Sequence, residues 1–155
     1  MMIKEEKELA DLVKAFEERT LMKSEWTHAA HLLVGMHYCL NHSFGIAKNL
    51  MRDGIYWLND AHGTPNTKTS GYHETMTMFW LAEISEFLSE NSAETNLVDL
   101  ANKLLEELDD SKLPFRFYSR ELIFSSKARE TIVEPDLHPQ DLSRRQIAGL
   151  DYQVA

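Results

Sequence analysis

SEWTHAAHLLVGMHYCL, residues 24–40, is the stretch whose reading decides the fold. Ser24 is a good N-cap and Glu25 falls in the first turn, where the helix dipole favours an acid. The stretch therefore predicts a helix from just after Ser24 to about Leu40. His28 and His31 stand at i, i+3 on it, roughly 5–6 Å apart at Cβ. Leu32, Gly35 and Cys39 continue the same face, so that face points inward. Two imidazoles on an inward face are uncommon in a plain core, because a buried ring must find partners for both nitrogens.

Helical periodicity extends on both sides. Leu9, Leu12, Val13 and Phe16 form an amphipathic stripe that predicts a first helix over Ile3 to about Glu18. Asn41-His42-Ser43 breaks the second helix, and Ser43 can cap a third from Phe44 to about Ala61. His62 to Gly71 is a polar loop rich in turn residues. A fourth helix is expected over Tyr72 to about Glu90, and a fifth over Thr95 to Leu108. Pro114 breaks the pattern; Ser119 and Ser125 then cap short helices over Arg120–Phe124 and up to Val133. Arg116-Phe117-Tyr118 is a candidate extended piece. The reading is all-α: an antiparallel bundle of about five helices, short C-terminal helices and an extended tail. The 155 residues suit one domain, with a core over 1–134 and a tail over 135–155.

Composition narrows the functional classes. The net charge of −9 argues against a nucleic-acid binder, which normally carries a basic face. No stretch approaches the roughly 20 apolar residues of a membrane span, and the charged start Met1-Met2-Ile3-Lys4-Glu5-Glu6 does not read as a signal peptide. The single cysteine, Cys39, rules out an internal disulfide and fits a cytoplasmic protein. Set among apolar neighbours without a basic partner, it is not expected to be reactive.

The candidate site gathers around histidines. His73 leads the stripe Thr77, Trp80, Leu81, Ile84 and Leu88, so it too points inward. Near a helix N-terminus it should stay neutral, the form that ligates metals. His28, His31 and His73 are thus candidate ligands for a divalent metal such as zinc, iron or nickel. Glu74 and His62 are candidate catalytic or supporting groups. The spacing is not that of a zincin, because Thr77 stands where His-Glu-x-x-His needs its second histidine. Hydrogen-bonded histidines that merely hold helices together are the plainer alternative. Arg52, Tyr56 and Asn59, at i, i+4 and i+7, are candidate substrate-binding residues together with Tyr72 and Arg120. Trp26, Trp57 and Trp80 read either as core or as walls of a pocket. The loop ending Lys68-Thr69 lacks both glycines of a P-loop, but its Thr64, Asn66, Thr67, Thr69 and Ser70 precede a helix N-terminus, where an anion can bind.

The motifs Trp26-Thr27-His28-Ala29-Ala30-His31-Leu32, Asn59-Asp60-Ala61-His62-Gly63, Gly71-Tyr72-His73-Glu74-Thr75 and Phe117-Tyr118-Ser119-Arg120-Glu121 carry a resemblance. Over roughly residues 16–139 the chain resembles a family of small uncharacterised bacterial proteins, which implies a bacterial cytoplasmic setting and no particular reaction. It is more loosely similar to DinB-like metal-binding bundles, which set three histidines on helices of a four-helix bundle. Their spacing is not reproduced, so no residue is carried over from them.

Three functions remain open at this point. One is a metal-dependent enzyme acting on a small polar molecule at His28, His31 and His73. Another is a non-catalytic domain that binds a small ligand in the same His/Trp pocket, and the third is a structural or partner-binding helical protein. A small-molecule ligand and a second copy of the chain are the expected partners, with neither nucleic acid nor membrane.

Overall fold

The apolar stripes become helices nearly where the sequence places them. α1 (Glu6–Glu17) buries Leu9, Val13 and Phe16, and α2 (His28–Asn41) is buried along most of its length. α3 (Phe44–His62), α4 (Glu74–Glu90) and α5 (Leu97–Leu108) follow, then the short α6 (Arg120–Ile123) and α7 (Ser126–Glu130). This computed structural model describes residues 1–137. The tail expected over 135–155 therefore lies, from residue 138 onward, outside the described residues. Among the described residues there is no strand, and no helix is long and apolar enough to cross a membrane.

Capping sets the helix starts. Ser43, Ser119 and Ser125 each accept a backbone N–H from the first turn of the helix that follows, as expected. Ser24 does not. Glu25 reaches back to the Met22 N–H at 3.0 Å and closes a 3₁₀ turn over Lys23–Glu25. Thr27 then caps α2 by accepting from Ala30 at 3.2 Å. The later start frees Trp26 to lie between Phe16 and His31, at ring-centroid distances of 4.9 and 3.7 Å. The Arg116–Tyr118 piece is not extended: it closes a 3₁₀ turn that begins at Leu113.

α2 is the central helix, packed by α4, α3, α1 and α5. Two glycines allow close approaches. A Cβ on Gly35 would stand 2.8 Å from Ile84 of α4, and one on Gly54 would stand 2.3 Å from the Phe16 ring. Polar ties close the bundle at its edges. Asn102 brackets Ile3, accepting its N–H at 2.7 Å and donating to its carbonyl at 2.8 Å. Arg129 of α7 donates to the Gly71 carbonyl at 2.7 Å, which fixes the entry to α4. Thr75 is fully buried and exchanges bonds with the Thr131 carbonyl and the Val133 N–H.

Candidate functional site

A cavity of about 630 Å³ opens between α2, α3 and α4. That volume lies in the range of pockets for drug-sized molecules. α2 and its lead-in contribute Lys23, Trp26, His28 and His31; α3 contributes Met51, Ile55, Asn59 and His62. Tyr72 and His73 lie at the entry to α4, and Thr77, Trp80, Leu81 and Ile84 carry its wall onward. The stripe that leads from His73 along α4 therefore faces the cavity, as its periodicity predicts.

Each histidine is anchored differently. The His28 Nδ1 lies 2.9 Å from the carboxylate of Asp109, the residue that ends α5. Its Nε2 is buried and has no hydrogen-bond partner among the described residues. The ring meets Trp80 edge-on at 4.4 Å. The His31 Nδ1 donates to the Thr27 carbonyl at 2.8 Å, one turn back on its own helix. Burial pushes its pKa down to about 4, so this ring is neutral at physiological pH. His62, the last residue of α3, donates from Nε2 to the Leu21 carbonyl at 2.7 Å.

His73 has both nitrogens committed. It is the N-cap of α4: Nδ1 accepts the Met76 N–H at 3.1 Å, and Nε2 donates to the Ile123 carbonyl. Its pKa is lowered, first by burial and with a smaller push from Arg129. The expected neutral form thus holds, with desolvation rather than the helix dipole as its main cause. Because His73 fills the N-terminus of α4, that terminus is not a vacant anion site.

A metal held by His28, His31 and His73 does not fit these residues. No lone pair is left on His73, and among the described residues no group of three or more His, Cys, Asp or Glu side chains is arranged to hold a metal ion. Glu74, expected to act as a base or ligand, is buried and engaged. Arg52 holds it through Nε at 3.2 Å and through Nη2, and the Tyr72 hydroxyl donates to it at 2.6 Å. Burial, followed by the Glu74 charge, drives the Tyr72 pKa upward, so this phenol stays protonated.

Of the residues read from the sequence, His28, His31, His62, His73, Asn59 and Tyr72 line the cavity. Arg52 and Glu74 form the ion pair behind Tyr72 instead. Tyr56 is half exposed beside Tyr72, at 5.0 Å between rings. Arg120 lies over the Phe115 ring at 4.5 Å, away from the cavity. Trp26 and Trp80 are cavity walls, whereas Trp57 is exposed with Arg19 above it. The Cys39 thiol is pushed up to about 11 by burial, in keeping with an unreactive cysteine. Asp109 is the group that sequence reasoning misses. It lies 81 positions from His28, and no local pattern marks it. No protein-family model, curated protein or solved structure matches the chain.

Proposed function

We propose that the cavity binds a small organic molecule and that His28, steered by Asp109, is its proton-transferring group. One observation carries this reading: a partly buried imidazole at the cavity wall has one nitrogen on a carboxylate and the other buried with no hydrogen-bond partner among the described residues. Asp109 accepts the Nδ1 proton, which leaves the Nε2 lone pair of the neutral ring free to take another. As the ring gains that proton, the carboxylate stabilises the imidazolium without itself becoming protonated. An acceptor buried without a partner costs about 1–3 kcal/mol, and an O–H or N–H of a bound molecule would offset that cost. The single half-buried cysteine agrees with a cytoplasmic setting for such an enzyme.

The reading is tested with 5-nitrobenzisoxazole, a flat probe that opens when a base removes its ring C–H proton. The proton passes to Nε2 of His28, the N–O bond breaks, and a cyanophenol anion forms that is read by absorbance. The protein should open the probe at least about 100-fold faster than the same concentration of free imidazole, in the range of a positioned general base. Asp109→Asn should lose most of that gain and His28→Gln all of it. A His28→Gln protein as fast as the parent would refute the role of His28.

A further inference from the structure

The lining of the cavity changes character along the helices. Its polar groups gather where helices begin or end. His28 and His31 stand in the first turn of α2, Asn59 and His62 in the last turn of α3, and Tyr72 and His73 at the entry to α4. The connecting segments bring further polar groups to the same end. Lys23 precedes α2 and adds an amine, and Thr64 follows α3 and adds a hydroxyl. Ser111 adds another just beyond Asp109, the residue that holds His28. Lys23 and Ser111 are the exposed members of the lining, so the mouth of the cavity lies here.

The far end is hydrocarbon. Ile55 and Met51 lie about two and three turns before the end of α3, roughly 10–16 Å along its axis from His62. Leu81 and Ile84 lie about two and three turns into α4, which leads away from the same mouth. All four are buried, and their side chains hold no hydrogen-bond donor and no acceptor stronger than a thioether. Water there makes few hydrogen bonds and yields readily to hydrocarbon, whereas a polar group carried that deep loses its partners. From this gradient we infer that the ligand is an amphiphile with a single polar head. The head sits at the mouth, where the His28 Nε2 accepts a hydrogen bond and Lys23, Thr64 and Ser111 donate. A hydrocarbon tail runs between α3 and α4 to Met51, Leu81 and Ile84. The inference rests on the reading of the cavity as a ligand site, but not on proton transfer by His28.

The test uses the full chain with ¹³C-methyl isoleucine and ¹⁵N-labelled histidine, titrated with 1-butanol, 1-pentanol, 1-hexanol and 1,6-hexanediol. Each added methylene should tighten binding about three- to four-fold. The diol should bind at least about ten-fold more weakly than 1-hexanol, because its second hydroxyl is carried into hydrocarbon without a partner. The methyl signals of Ile55 and Ile84 should move, while that of the exposed Ile46, outside the lining, stays in place. The ring-nitrogen signals of His28 should follow the head, and those of His37 and His42, also outside the lining, should not change. Absence of binding, an affinity that does not depend on chain length, a diol as tight as 1-hexanol, or an unmoved His28 signal would each overturn the inference. The two readings fail separately. Alkanol binding of this pattern without benzisoxazole opening refutes the acid–base role alone, and opening without the pattern refutes the ligand class alone.

Discussion

Replacing Arg52 with methionine separates a structural from a catalytic role for the groups behind Tyr72. Methionine keeps much of the apolar stem but removes the guanidinium that grips the Glu74 carboxylate at both oxygens. Removing one partner of a buried ion pair costs about 3–5 kcal/mol. The Glu74 side chain is 10% exposed and that of Arg52 31%, so water recovers part of the loss. About 2–3 kcal/mol should remain, well above the roughly 0–1 kcal/mol of an ordinary surface pair. In a chain of this size that corresponds to a fall in Tm of about 5–10 °C. Urea unfolding and calorimetry measure both quantities. A second change decides the cause. Adding Glu74→Gln to Arg52→Met should recover about 1 kcal/mol or more, because glutamine accepts the Tyr72 hydroxyl without a charge to bury. If Arg52→Met costs less than about 1 kcal/mol, or if the two changes simply add, Glu74 is not a desolvated partner of Arg52 and the reasoning is refuted.

The pH dependence of stability should carry the mark of His31. Its pKa is about 4 in the folded chain against an ordinary 6.5, so the unfolded chain takes up a proton first as pH falls. Stability from this group is complete above about pH 6.5 and drains away towards pH 4, by up to about 3 kcal/mol. Burial lowers the pKa of His37 and of His73 too, which adds to the same slope. Urea midpoints between pH 7.5 and 4 should therefore fall less steeply for His31→Gln than for the parent, and identical slopes would count against the assignment. Gly54→Ala should destabilise by about 1–3 kcal/mol through overpacking, since its Cβ would meet the fully buried Phe16 ring at 2.3 Å. Phe16→Leu in the same background should recover part of that loss, and additive losses would argue against the clash.

Much of this arrangement is legible in the sequence because helices write their faces into it. The stripe from His73 through Thr77, Trp80 and Ile84 places one cavity wall by periodicity alone. The inward direction of His28 and His31 is equally plain. Competition between neighbours is harder to read. Ser24 and Thr27 are both able to cap, and the choice falls to Thr27 through the back-bond of Glu25 and the stacking of Trp26 on a ring from α1. His73 illustrates the same limit. Its type and position suit a ligand, but a side chain at an N-cap is claimed by the backbone of its own helix. Glu74 reads as a free acid until Arg52, 22 positions away, is found upon it. Asp109 is invisible because pairings between distant helix ends leave no periodic trace.

Gly35 has a consequence for how this pocket could be reshaped. It is not part of the cavity lining, but the hydrogen in place of its side chain leaves room for Ile84, which is. An alanine there would press on the outermost methyl of Ile84, at the tip of a side chain that can turn. The contour of the pocket is thus adjustable from behind, through a position outside its lining, with every histidine left in place. A designer who reshapes the cavity this way need not alter the chemistry of the wall at all.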